Sequence, residues 1–203
     1  MQAVTEDQTP LVAIVGPTAI GKTALGIRLA QAYDGEIVSA DSRQFYRTMD
    51  IGTAKPSPEE LAAARHHLID IADPDETVGL AQFLTLARNA IRDIASRGGL
   101  PLVVGGTGQY VRALLQGWQV PTVPPDPELR AELEREAEED PGGVWQRLIA
   151  LDPESADFID PRNLRRVIRA LEVTLKSERP FSELRRRIPP PYSTLKVGLT
   201  MDR

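Results

Sequence analysis

The chain has 203 residues, enough to bury a core and to carry an accessory element beside one domain. Its 41% hydrophobic and 26% charged content is that of a globular protein, and no apolar run approaches the ~20 residues that span a bilayer. Zero cysteines and two histidines exclude disulfides, thiol nucleophiles, cysteine-held metal and a His-rich metal centre, while the net charge of −5 argues, over the whole chain, against a nucleic-acid partner.

In chain order, the polar, acidic segment 1–10 is no secretory signal and is expected to be disordered. The expected location is the cytoplasm. Residues 11–16, Leu-Val-Ala-Ile-Val-Gly, form an apolar β-branched run ending in glycine, which predicts a buried parallel strand. Residues 22–33 predict a helix with Leu25, Leu29 and Ala32 on one face, and 36–40 a second strand that stops at Asp41. Ser57-Pro58-Glu59-Glu60 has the capping-box signature of a helix start. Leu80, Leu84, Ala87, Ile91 and Ile94 recur at helical period over 79–97, before Gly98-Gly99. Residues 100–104 predict a buried strand running into Gly105-Gly106-Thr107-Gly108, and 110–115 a helix.

Pro121-Thr-Val-Pro-Pro125 breaks this alternation, and helical signals without strands follow until Pro189-Pro-Pro191. Residues 194–200 then predict one more strand, returning to the sheet. The expected fold is therefore α/β: a P-loop-type, mostly parallel sheet flanked by helices. Its core spans 11–121, a helical insertion 122–190, and a return strand 191–203.

The strongest motif is Gly16-Pro17-Thr18-Ala19-Ile20-Gly21-Lys22-Thr23, which fits G-x-x-x-x-G-K-[ST] between a strand and a helix. Glycines let successive backbone N–H groups curl around a phosphate, and the helix N-terminus adds its dipole. Lys22 neutralises phosphate charge, and the Thr23 hydroxyl is placed to ligate Mg²⁺. The strand at 100–104 does not end in the acid that an ordinary P-loop NTPase uses for its metal. A small-molecule P-loop kinase stays open as a second reading. Asp41 ends a strand taken to neighbour that of the loop, so its carboxylate either accepts a proton from an acceptor substrate or caps a helix starting at Ser42. For Lys55 a phosphate or RNA contact and a solvated side chain are both open; His66 and His67 read as a helix-end cap or a packed pair.

Five segments, Gly16–Thr23, Asp41–Pro56, His66–Asp70, Val103–Tyr110 and Arg165–Val173, together resemble the tRNA dimethylallyltransferase (tRNA isopentenyltransferase) family, in family order. The chain departs from the family pattern at Ile20 and stops at Arg203, where members continue into further helices, so a core cut short is expected. The resemblance implies transfer of a dimethylallyl group from its diphosphate to N6 of the adenosine 3′-adjacent to the tRNA anticodon, with Mg²⁺. It implies catalytic roles for Asp41 and Thr107, phosphate binding by residues 16–23, and metal binding by Thr23. By the same resemblance the tRNA anticodon stem-loop meets Asp41, Ser42, Arg43, Gln44, Arg130, Arg165, Arg166, Val167, Ile168 and Arg169. A monomer is expected. Adenylate isopentenyltransferases, which act on free nucleotide, are the alternative relatives.

Charge divides unevenly along the helical stretch. Twelve acids and three bases lie within 126–160, a net −9, whereas nine bases and three acids lie within 162–187, a net +6. On a helix from about 163 to 176, Leu164, Val167, Ile168, Leu171 and Leu175 share one face, and Arg162, Arg165, Arg166, Arg169 and Lys176 fall opposite. Charge alone allows a solvated basic face paired with the preceding acidic helix; the resemblance favours contacts to RNA phosphates.

Overall fold

The buried apolar runs at 11–16, 36–40 and 100–104 become strands of one parallel sheet. The computed structural model describes residues 8–201. In chain order it runs β1 (Thr9–Val15), α1 (Lys22–Ala32), β2 (Gly35–Ser39), α2 (Pro58–Ala63), β3 (His66–His67), α3 (Leu80–Ser96), β4 (Leu100–Val104) and α4 (Gly108–Leu115). Then come α5 (Pro127–Glu139), α6 (Pro141–Leu151), a 3₁₀ turn over 153–157, α7 (Leu164–Ser177), α8 (Phe181–Leu184) and β5 (Tyr192–Gly198). The sheet order is β3-β2-β4-β1-β5, and every pair is parallel.

The chain divides into two compact units, one of residues 1–117 with 189–203 and the other of 118–188. The second unit begins at Trp118, ahead of the proline-rich joint, because the segments entering and leaving it are bonded together. Trp118 bridges antiparallel to Arg187, and the Gln119 N–H donates to the Arg186 carbonyl at 2.7 Å.

In the first unit Ile14, Ile27, Ala30, Ile37, Leu102 and Val104 form a core between sheet and α1. α3 buries Phe83, Leu84, Ala87, Ile91 and Ile94, the apolar stripe its sequence sets at helical period. α2 starts with a complete capping box: Ser57 Oγ accepts from the Glu60 N–H, and Glu60 Oε2 accepts from the Ser57 N–H at 2.9 Å.

One expectation needs correction. Thr9 and Pro10, within the segment expected to be disordered, belong to β1 and pair with Tyr192 and Ser193. Thr9 donates its N–H towards β5, so Pro10, lacking one, faces the side where pairing with β4 begins only at Val12. Residues 1–7 of that segment lie outside the described residues.

The second unit packs Leu133, Ala137, Val144, Leu148, Ile159, Val167, Ile168, Ala170 and Leu171 into its own core. Asp126 caps α5, accepting from the Leu129 N–H at 3.1 Å. Asp152, buried, accepts from the Ser155 hydroxyl at 2.6 Å and from the Ser182 N–H at 2.9 Å, tying the 3₁₀ turn to α8. No helix among the described residues is long and apolar enough to cross a membrane.

Candidate active site

The loop from Gly16 to Thr23 leaves β1 and enters α1 at the C-terminal edge of the sheet, where open α/β sheets hold ligands. Gly21, the residue before the helix, sits at φ 88°, a left-handed conformation that glycine takes without strain. No acidic residue occupies the first turn of α1, so its N–H groups face the loop without a competing carboxylate. Lys22 folds back over the loop, donating to the carbonyls of Gly16 at 3.1 Å and Pro17 at 2.6 Å. Thr18 through Ala24 line a cavity of about 170 Å³. Its other walls are Ile37, Ser39, Asp41, Gln44, Ala54, Pro56, Glu60, His66, Val104 and Gly105.

Asp41 reaches this cavity by a different route from the one its sequence position suggests. Its strand β2 does not neighbour β1; β4 lies between them. The carboxylate still meets the loop because β4 ends in glycine. A side chain at Gly105 would strike the Ala40 carbonyl, so only glycine lets the two strand ends close up. A methyl group at Gly106 would stand 3.9 Å from Lys22 Nζ and 4.0 Å from Asp41 Oδ2. The lysine and the carboxylate thus border the same gap beside Gly106.

No helix begins at Ser42, so Asp41 has none to cap. Its Oδ1 accepts from the Arg43 N–H at 3.0 Å, fixing the turn that carries it. Thr107 precedes α4, but its hydroxyl does not cap that helix. It accepts from the Ser42 N–H at 3.1 Å, joining the β4–α4 turn to the Asp41 turn.

The segment 41–56 is a long loop without regular structure, held by contacts that sequence reading missed. Phe45 is fully buried in a stack with Phe83 and Tyr110, ring centroids 4.5–6.0 Å apart. Gln44 is buried; its amide accepts from the Ser39 hydroxyl and donates to the Ala54 carbonyl, both at 2.8 Å. It braces the loop, and its side chain is not free for RNA. Lys55 is not solvated, and although Ala54 and Pro56 line the cavity, its own side chain is not among the lining residues. Its side chain is 6% exposed, and the ammonium donates to the Tyr46 carbonyl and to the carboxylates of Asp50 at 2.5 Å and Asp70 at 2.7 Å. Burial works against its charge, but those two carboxylates outweigh it and hold its pKa above the ordinary lysine value.

The histidines form the edge strand β3 beside β2, at Ile37 and Val38. His66 Nδ1 lies 2.8 Å from the Ala64 carbonyl just past α2, which assigns the proton to Nδ1. Its Nε2 is buried without a protein partner, and burial lowers its pKa. His67 pairs instead with Glu36 at 2.6 Å. Arg97 donates to both Glu36 oxygens, and this hydrogen bonding, against burial and with help from His67, lowers the Glu36 pKa to about 2.

In the second unit the expected RNA-contacting residues separate into three groups. Val167 and Ile168 are 0% and 5% exposed in the core, so their side chains cannot meet RNA: α7 turns its apolar stripe inward. Arg130 and Arg169 are held by Glu172, which has no exposed surface, at 2.7 and 2.6 Å, and Arg169 also donates to the Val123 carbonyl. Burial alone would raise the Glu172 pKa, but the Asp126 N–H and the two guanidinium groups outweigh it and hold it below the ordinary value. Arg165 and Arg166 are exposed and carry no ion pair among the described residues. The five-residue basic stripe is therefore not one surface: Arg162 pairs with Asp160 and Lys176 with Asp126.

The fold and cavity define a parallel α/β protein with a glycine-rich loop facing a carboxylate across a strand end. A family model described as IPP transferase matches residues 44–203, and one described as isopentenyl transferase matches residues 9–78. The chain belongs to the IPP transferase family. It is 60% identical over 193 residues to a tRNA dimethylallyltransferase of Roseiflexus sp. (strain RS-1), covering 95% of this chain and 63% of that protein. A tRNA dimethylallyltransferase of Chloroflexus aggregans is 60% identical over 190 residues, 93% and 64% of the two chains. The crystal structure of a tRNA isopentenylpyrophosphate transferase from Bacillus halodurans matches with a TM-score of 0.61 and 43% identity, over 96% of this chain and 61% of that one. A eukaryotic dimethylallyltransferase acting on tRNA matches with a TM-score of 0.78 and 32% identity, over 94% and 48%. The chain thus spans a little under two thirds of the length of the curated relatives it matches.

Proposed function

We propose that this chain transfers a dimethylallyl group from dimethylallyl diphosphate to N6 of the adenosine 3′-adjacent to the anticodon of tRNA. The observation that carries the reading is the meeting of Lys22 and Asp41 over Gly106 in one cavity, in a chain of the IPP transferase family. The loop N–H groups and Lys22 take the diphosphate. As the bond from C1 to the bridging oxygen breaks, negative charge grows on the departing diphosphate, and those donors stabilise it where it develops. The allylic carbon shares the positive charge, N6 of adenine forms the new C–N bond, and Asp41 accepts the proton that N6 releases. Thr107, bonded to Ser42, holds the turn that aims Asp41.

Thr23 lines the same cavity and is the residue that would hold Mg²⁺. No cluster of three or more His, Asp or Glu side chains suited to a metal occurs among the described residues, so the other ligands would be diphosphate oxygens and water. When bound, the ion supplies positive charge against the diphosphate. A cytoplasmic location belongs to this proposal, since that is where the proposed tRNA substrate is met. The adenine must leave its stack to reach a cavity, as base-modifying enzymes require of their targets.

The test is incubation with dimethylallyl diphosphate and Mg²⁺ against three acceptors: unmodified tRNA, adenosine monophosphate and a panel of hydroxyl metabolites with ATP. Prenylated adenosine from tRNA supports the reading. Prenylation of the free nucleotide alone makes the chain an adenylate enzyme, and phosphorylation of a metabolite without prenyl transfer makes it a kinase.

A further inference from the structure

The second unit contains more carboxylates than cations, and half of its basic side chains pair with them. Of the nine basic residues between 162 and 187, Arg162, Arg169, Lys176 and Arg179 are ion-paired at 2.6–3.4 Å. Arg185 and Arg187 behave differently. Arg185 lays its guanidinium over the Phe158 ring, 4.3 Å from the centroid, and Arg187 lies 5.5 Å from the centroid of Trp118. Neither guanidinium has an ion pair or a hydrogen bond to a protein acceptor among the described residues. Burial, then the charges of Arg166 and Arg187, lower the Arg185 pKa.

Like charges gathered without a carboxylate are an electrostatic liability, and an acid-rich unit had partners to offer. The ring faces fix the guanidinium planes by cation–π contact and leave their N–H edges open for a planar, bidentate acceptor. Phosphate is the acceptor that such forks fit best. We infer that Arg185 and Arg187 form a clamp for RNA backbone phosphates, separate from Arg130 and Arg169, whose charge Glu172 already balances. This rests on the tRNA reading and names where on the second unit the backbone is gripped. The clamp has no role in the chemistry at Asp41.

The experiment measures binding of the full chain to a fluorescent tRNA anticodon stem-loop across a KCl series, with thermal unfolding run in parallel. Each phosphate contact contributes roughly 0.7–0.9 to the slope of log affinity against log salt. R185Q/R187Q is expected to flatten the slope by about 1.5 and to weaken low-salt binding at least about tenfold, with an unfolding temperature equal to or above that of the unsubstituted chain. R185K/R187K, which keeps the charges, should retain most of the slope, and Arg147→Gln, which removes a cation paired with Glu136, should leave it unchanged. An unchanged slope with a lowered unfolding temperature in R185Q/R187Q would overturn the clamp and make both arginines packing staples. If the unsubstituted chain shows no salt-dependent RNA binding, clamp and tRNA reading fall together. If it binds and the slope flattens but no prenyl transfer occurs, the clamp stands and the proposed reaction fails.

Discussion

Glu172 shows how one buried carboxylate can decide what several surface residues do. It accepts from the Asp126 N–H at 2.8 Å and from Arg130 and Arg169, so the N-terminus of α5 and the middle of α7 share it. Glu172→Ala leaves both arginines and the N–H without their acceptor, and should destabilise the second unit by roughly 2–3 kcal/mol, allowing for the partly exposed arginines. Denaturant unfolding of that variant checks it, with Glu172→Gln, which keeps an acceptor oxygen, expected to lose less. In the first unit Lys22→Ala should weaken diphosphate binding about tenfold or more, measured by calorimetry; unchanged affinity would count against a phosphate loop. Residue roles were legible in the sequence where a motif carries its own mechanism, as at Gly21, Lys22 and Ser57. They were not legible for Lys55, Gln44 and Phe45, because loop anchors depend on distant partners such as Asp70, Ser39 and Phe83.

Among the elements, the edge formed by β2, β3 and α3 is stapled by charge. Glu36 on β2 meets His67 on β3 and Arg97 just past α3. In the folded chain Glu36 holds a pKa of about 2 against an ordinary 4.5, so as pH falls the unfolded chain takes up its proton first. The stabilisation is complete above about 4.5 and is lost as pH falls towards about 2. Unfolding free energies measured over that window should decline less in Glu36→Gln than in the unsubstituted chain, by roughly 2 kcal/mol after discounting for the exposure of Arg97. Gly105→Ala belongs to the same scale. Its methyl group would push the ends of β4 and β2 apart, so transfer activity and unfolding temperature should fall together. The helices with caps and apolar stripes, α2 and α3, were readable from sequence because their signals are local. The two-residue β3 was not, since it exists only by pairing with β2, and the interposed β4 could not be inferred from strand order along the chain.

At the scale of the whole molecule, the net −5 hides two kinds of surface. The structure divides the +6 stretch further, into cations balanced by Glu172, Asp126, Asp160 and Glu183 and a smaller set that is not. Sequence charge counts found the stretch but could not separate its members, because ion pairing depends on which helix faces place acids within reach. The proposed chemistry rests on the first unit, where strand ends, glycines and loop bring Lys22 and Asp41 to one gap. The measurement that tests this most directly is single-turnover prenyl transfer to tRNA by the unsubstituted chain and by Asp41→Asn, with dimethylallyl diphosphate affinity measured for both. The prediction is transfer by the first and a loss of about 100-fold or more in the second at unchanged diphosphate affinity. Transfer at an equal rate by Asp41→Asn would contradict it.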